Sequence, residues 1–117
     1  VDFSTFDDLL VPADSSAAAI IADKLPNSTV VKAFNTSFSE TLATKKVSNK
    51  HQTTVLLASD SQQAKEQIFR ALEKSGLSLV DAGSLKRARE LEALGFLQIS
   101  LAASEKISWN GGFGLFK

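Results

Sequence analysis

Two stretches of the chain are apolar at nearly every position rather than at every second or every third or fourth. Residues 29–34 read TVVKAF and residues 53–58 read TTVLLA. Runs this short and this β-branched predict strands covered on both faces. Lys32 interrupts the first, and its ammonium needs an edge, a carboxylate or solvent, because an unpaired buried charge is too costly. A third run, LSLV at 77–80, predicts another strand. Between and around these runs the period becomes helical. Ala18, Ile21, Ala22 and Leu25 recur at helical spacing after a capping residue at Asp14 or Ser15, until Pro26 stops them. A short helix is predicted over 37–43. Asp60 opens another, with Gln63 placed to complete the reciprocal cap, Ala64, Ile68 and Leu72 forming one stripe, and Gly76 at the left-handed end position. Ser84 opens the last helix, which reaches to about Ala103 and carries Leu94, Phe96, Leu97, Ile99 and Leu101 on nearly all sides. Residues 1–13, packed by Phe3 and Phe6, and the basic segment 45–51 read as loops. The glycine-bearing tail 107–117 reads as a turn-rich end or a small hairpin.

These elements define the fold class. Residues 53–81 form a strand, a helix and a strand, and the right-handed crossover of such a unit makes its two strands parallel. The expectation is an α/β protein, one domain over residues 1–117, with a short, mostly parallel sheet, flanking helices and a long apolar C-terminal helix. A helix apolar on most sides needs two covers, one from its own sheet and one from outside it. In an open parallel sheet, ligands sit beyond the carboxyl ends of the strands. Three polar steps qualify: Asn35-Thr36-Ser37, Ser59-Asp60-Ser61 and Ala82-Gly83-Ser84. All three should open on the same side and form one polar rim. Each also has a plainer role as a helix cap.

Composition narrows the chemistry. Thirteen Lys plus Arg balance thirteen Asp plus Glu in 117 residues, so no strong field favours nucleic acid or an anionic membrane. No cysteine is present, which excludes disulfides and thiol chemistry and fits a cytoplasmic setting. The apolar stretch 94–103 is too short to span a bilayer. His51, the one histidine, lies in the basic segment with no carboxylate near it in sequence and reads as a solvated loop residue. Lys86, Arg87 and Arg89, interleaved with Glu90 and Glu92, read as a solvated helix face, and Trp109 as a packing residue. The glycine cluster Gly111, Gly112 and Gly114 has no helix after it, so it cannot cradle a pyrophosphate. No nucleophile–base pair, metal cluster or paired catalytic carboxylates can be assembled.

Two ordered motifs carry a resemblance across essentially the whole chain: LP-x(3)-VVKAFNT, and then VDAGSL-x(2)-AR-x-LE, followed by a W…GFGL tail. Together they resemble the C-terminal part of the deazaflavin-coenzyme-dependent NADP oxidoreductases, and are also similar to the nucleotide domain of the STEAP-type metalloreductases. The resemblance implies the C-terminal half of a Rossmann-like fold, without the N-terminal half that holds the glycine turn. Ser59 departs from the glycine usual in the family. NADP is the implied cofactor of the intact family, with none expected to bind tightly to this chain alone. Residue by residue, Asn35, Thr36 and Ser39 would face the nicotinamide, and Gly83 and Ser84 would form the opposite wall, beside a flavin or deazaflavin. Hydride transfer between two rings needs positioning more than a protein acid or base. The implied partners are a second copy, paired through the C-terminal helix, or the absent N-terminal half. A reading of another class is a non-catalytic assembly module that uses the same helix.

Overall fold

The computed structural model describes residue 4 and residues 10–117; the predicted loop contacts of Phe3 and Phe6 lie outside them. The element order is α1 (Ala17–Lys24), α2 (Ser39–Thr44), β1 (Lys46–Val47), β2 (His51–Gln52), β3 (Thr54–Ala58), α3 (Gln62–Leu72), β4 (Ser78–Gly83), a 3₁₀ turn (Leu85–Arg87) and α4 (Ala88–Ala103). The strand–helix–strand unit forms as its sequence requires. β3 and β4 are parallel, with Thr54 opposite Ser78 and Leu57 opposite Asp81; a bulge then sets Ala58 opposite Gly83. Val55, Leu57 and Ala58 are completely buried, as the unbroken apolar run demands.

The segment 29–34 is where the structure departs most from the strand pattern. It forms no strand: Lys32 alone pairs with Ala58, in an isolated antiparallel bridge of two backbone hydrogen bonds of 2.8 and 2.9 Å. Its residues are half-buried or exposed rather than covered on both faces. Two causes are visible. The Lys32 ammonium must stay within reach of a carboxylate, which it finds in Glu92 at 3.4 Å. Phe34, at φ 69°, turns the chain through the left-handed region and ends any extended run.

Several caps fall elsewhere than the local sequence suggests. Ser16, not Asp14 or Ser15, caps α1 by accepting from the Ala19 N–H. Ser61 caps α3 by accepting from the Ala64 N–H, while the Asp60 carboxylate crosses to accept the Leu85 N–H at 3.0 Å, heading the neighbouring 3₁₀ turn. Local pattern cannot reveal that exchange, because parallel β3 and β4 bring the two helix starts side by side. Ser84 precedes the turn without a side-chain cap bond. α3 ends at Leu72, and the chain passes through turns before Gly76 takes its φ of 87°. The basic segment 45–51 is partly a hairpin: β1 and β2 pair antiparallel around residues 48–50, with Ser48 and Asn49 at φ 53° and 58°. That double left-handed step suits the twist of a tight hairpin. The predicted helix over 37–43 is α2, one residue later at its end and two at its start.

α4 lies across this framework. Leu91, Gly95, Gln98 and Ala102 are its buried positions after Ala88, a single stripe at helical spacing. Ala18, Leu85 and Ala88 form a buried cluster, with Ala22 and Val30 packed against it. Away from that stripe Leu97 is 47% exposed, while Leu94, Phe96, Ile99 and Leu101 are half-buried. Among the described residues, no helix is long and apolar enough to cross a membrane.

Candidate functional site

The three polar steps do not share one rim. Ser59 Oγ donates to the Val30 carbonyl, Lys32 pairs with Ala58, and Ser37 Oγ donates to the Thr54 carbonyl at 3.4 Å. Residues 30–37 therefore run opposite to β3. Thr36 and Ser37 reach the amino end of β3, whereas Ser59-Asp60-Ser61 and Gly83-Ser84 stand at the carboxyl end of the parallel pair. Thr54 and Ala58 are four residues apart, which separates the two ends by about 13 Å. The expected single rim is thus divided in two by the antiparallel direction of a segment whose polarity of pairing its sequence does not encode.

At the first end, α4 organises the loop. Asn35 Nδ2 donates to the Leu91 carbonyl at 2.7 Å. Gly95 packs directly on Asn35: a Cβ there would lie 2.8 Å from the Asn35 backbone oxygen. Gln98, 2% exposed, donates from Nε2 to the Thr36 carbonyl at 3.2 Å and accepts the Phe113 N–H on Oε1, also at 3.2 Å. One buried amide thus joins loop, helix and tail. Thr36 also lines a cleft of about 90 Å³ with Thr54, Leu56, Leu94 and the tail residues Phe113 and Leu115. Ser39 is exposed at the first position of α2. Gly95 and Gln98 were not singled out by sequence reasoning. The signal was available: a glycine within a helical pattern implies close approach, and a lone amide within an apolar run implies buried partners.

A larger cavity, about 270 Å³, lies between the start of α1 and α4 and is lined in part by Lys32, Asn35, Glu92 and Phe96. Glu92 is its structural anchor. Its carboxylate accepts the Ala17 and Ala18 N–H groups at 2.6 and 3.1 Å, so that α4 supplies the negative charge that the start of α1 favours. Asn35 Oδ1 is buried and has no hydrogen-bond donor among the described residues.

At the second end, Lys65 is buried and donates to Asp81 Oδ1 at 2.9 Å and to the Gly83 carbonyl at 3.1 Å. Asp81 Oδ1 also accepts the Gly83 N–H at 2.8 Å. The bond from Lys65 holds the Asp81 carboxyl below the ordinary carboxylate value, burial opposing it and the Gly83 N–H assisting. This clamp fixes the bulge and Gly83 at φ 119°, a conformation side chains disfavour. Gly83 and Ser84 are therefore well ordered by α3, and stand apart from Thr36 and Ser39.

The other chemistry-bearing residues behave as solvated or packing groups. His51 is exposed, on β2, with its ring edge-on to Phe116 at 5.6 Å. Trp109 packs on Phe38 at a centroid distance of 5.0 Å. Arg87 and Arg89 both pair with Glu90. Among the described residues, no group of three or more His, Cys, Asp or Glu could hold a metal ion.

No protein-family profile matches the sequence, and no curated protein matches it. Among solved structures, the chain is similar to that of a candidate F420-dependent NADP-reductase from Arthrobacter sp. FB24, with a TM-score of 0.78 and 21% identity. The match covers 94% of this chain and 50% of that one, so the chain spans half the length of the structure it resembles. At this identity the likeness shows the fold, and it bears out the Rossmann-like half expected from the two motifs.

Proposed function

We propose that this chain is the acceptor-side half of an NADP-dependent oxidoreductase, which passes hydride between NADP(H) and a flavin, deazaflavin or similar ring. The observation that carries this reading is the fold match: 94% of the chain superposes on one half of an NADP-reductase structure. The motifs VVKAFNT and VDAGSL support it from the sequence, and so does the lack of an acid–base constellation, since hydride transfer leaves the chemistry to the cofactors.

Within this reading the nicotinamide side is the loop of Asn35, Thr36 and Ser39, held by Gln98 and capped by the tail. Gly83 and Ser84, at the far end of β3 and β4, serve to set the start of α4 rather than to touch the same ring. The phosphate grip belongs to a part of the fold that these 117 residues do not contain, because their one glycine cluster, in the tail, precedes no helix. The chain alone is therefore inactive, and its expected setting is cytoplasmic.

The test is NADPH oxidation with a deazaflavin or FMN as acceptor, run on the protein expressed with whatever its own gene encodes around these residues. Turnover that falls in Thr36→Val and persists in Ser84→Ala supports both the function and the division of the two ends. A complete gene product that neither binds NADPH nor reduces either acceptor overturns it.

A second reading has its own observation. Leu97 of α4 and the tail residues Phe113, Leu115 and Phe116 are 46–77% exposed, and apolar side chains so exposed suit assembly with the other half of the fold or with a second copy.

A further inference from the structure

β4 is an edge of its two-stranded sheet. Ser78 donates its N–H to the Thr53 carbonyl at 2.9 Å, on the side of β3. Main-chain groups alternate sides along a strand, so Ser78 and Val80 face β3, while Leu79 and Asp81 turn their N–H and C=O groups away from it. Among the described residues, nothing bonds those four groups. The bulge after Asp81 ends the open stretch. Natural edges are blunted with lysine, proline or a charge aimed into the gap. The run SLVDAG has no lysine or proline, and its one charge is engaged within the chain, by Lys65 and the Gly83 N–H. α3 flanks this edge, and a groove of about 350 Å³ between them is lined by Gln62, Glu66, Phe69, Arg70 and Asp81. Glu66 and Arg70 are exposed, and neither makes an ion pair among the described residues.

We propose that β4 pairs antiparallel with β4 of a second copy, about a two-fold axis at Val80. In this register Leu79 of each chain exchanges both main-chain bonds with Asp81 of the other, so the four open groups satisfy one another. The second copy is the occupant because the charges beside the edge are self-complementary as well. Lys65 lies over Asp81, so α3 runs back along β4 with Glu66 and Arg70 on either side of the level of Val80. With rises of about 1.5 Å per helical residue and about 3.3 Å per strand residue, Glu66 of one copy comes level with Arg70 of the other to within about 3 Å. Two opposite-charge pairs then flank the axis. The joint uses neither the loop of Asn35, Thr36 and Ser39 nor the apolar side chains of α4 and the tail, so it holds or fails independently of the proposed function.

The test is sedimentation of the chain carrying Leu97→Glu and Phe116→Ser, which removes the apolar surface as a route to association, with residue-resolved hydrogen exchange beside it. A reversible dimer is expected. The Leu79 and Asp81 amides should gain about tenfold protection or more between dilute and concentrated samples, while the Val80 amide, bonded to β3, is protected in both. Leu79→Pro removes an outward donor and leaves the bonds to β3, so it should weaken the dimer about tenfold or more. Glu66→Arg, which sets like charges across the axis, should weaken it by about tenfold, and adding Arg70→Glu should restore it. If Leu79→Pro does not fold, the charge exchange on α3 decides. A monomer at every concentration, which would leave the edge to a strand of a different protein, overturns the proposal. So does a dimer whose Leu79 and Asp81 amides exchange equally fast at all concentrations, or one that folded Leu79→Pro or Glu66→Arg leaves as tight as before.

Discussion

Replacing Gly95 by alanine sets two effects of known sign against each other. In an open stretch of helix the change would stabilise by about 0.8–1 kcal/mol, the propensity difference between the two residues. Here the new methyl would stand 2.8 Å from the backbone oxygen of Asn35 and 3.0 Å from its Nδ2. The nearer atom belongs to the main chain, and Asn35 is further tied to the Leu91 carbonyl, so neither contact can swing aside as a surface lysine would. Overpacking of this kind costs about 1–3 kcal/mol, and more when backbone must move. After the propensity gain is subtracted, Gly95→Ala should be net destabilising by up to about 2 kcal/mol. Urea unfolding followed by circular dichroism reads this directly: with a slope of about 2 kcal/mol per molar, the midpoint should fall by up to about 1 M. Ala93→Gly, at an exposed position of the same helix, calibrates the propensity term and should cost about 1 kcal/mol. If Gly95→Ala instead raises the midpoint by as much as Ala93→Gly lowers it, then α4 does not rest on Asn35, and the anchoring of the loop is wrong.

Three further outcomes follow from the same contacts. Asp60→Ala should lower stability by about 1 kcal/mol through loss of the Leu85 cap, while Asp60→Asn, which can still accept that N–H, should cost distinctly less; equal losses in a denaturant titration would remove the cap from the account. Because Lys65 and Gly83 hold the Asp81 carboxyl below its ordinary value of 3.8, the ionised form is favoured in the folded state, so the associated stability is complete above that value and disappears as pH falls through the lowered one. With the Asp81 side chain 35% exposed, the term is small, under about 1 kcal/mol, and Asp81→Asn should flatten the acid limb of a stability–pH curve by that amount while leaving its slope above pH 5 or so unchanged. Sedimentation of the chain should show self-association that Leu97→Glu and Phe116→Ser together reduce; a strictly monomeric wild-type chain would leave the apolar surface to a different partner.

What the sequence disclosed, and what it withheld, divides along a physical line. The run VLLA carries its burial locally and the half-buried stripe of Ala64, Ile68 and Leu72 carries its period, and β3, α3 and β4 appear where those patterns put them. Pairing direction is not local. Nothing in TVVKAF distinguishes a parallel strand from a single antiparallel bridge, and the mistaken direction placed Asn35, Thr36, Gly83 and Ser84 on one rim. The caps follow the same rule: Asp60 satisfies a helix start 25 residues on, and Glu92 serves one more than 70 residues back. The hairpin of residues 46–52 was legible in part, since Ser-Asn between extended residues tolerates the left-handed turn, but its lysines resemble any solvated loop. The organising roles of Gly95 and Gln98 were written as exceptions to the pattern of α4, a glycine and an amide on an apolar helix.

The central claim is that these residues form the ring-binding side of a hydride-transfer fold whose phosphate grip lies outside them. Fluorescence titration of NADPH on the 117-residue chain, beside the same titration on the complete gene product, tests it most directly. The account predicts micromolar binding by the complete product and none at that level by the chain alone. Micromolar binding by the chain itself, or none by either, contradicts it.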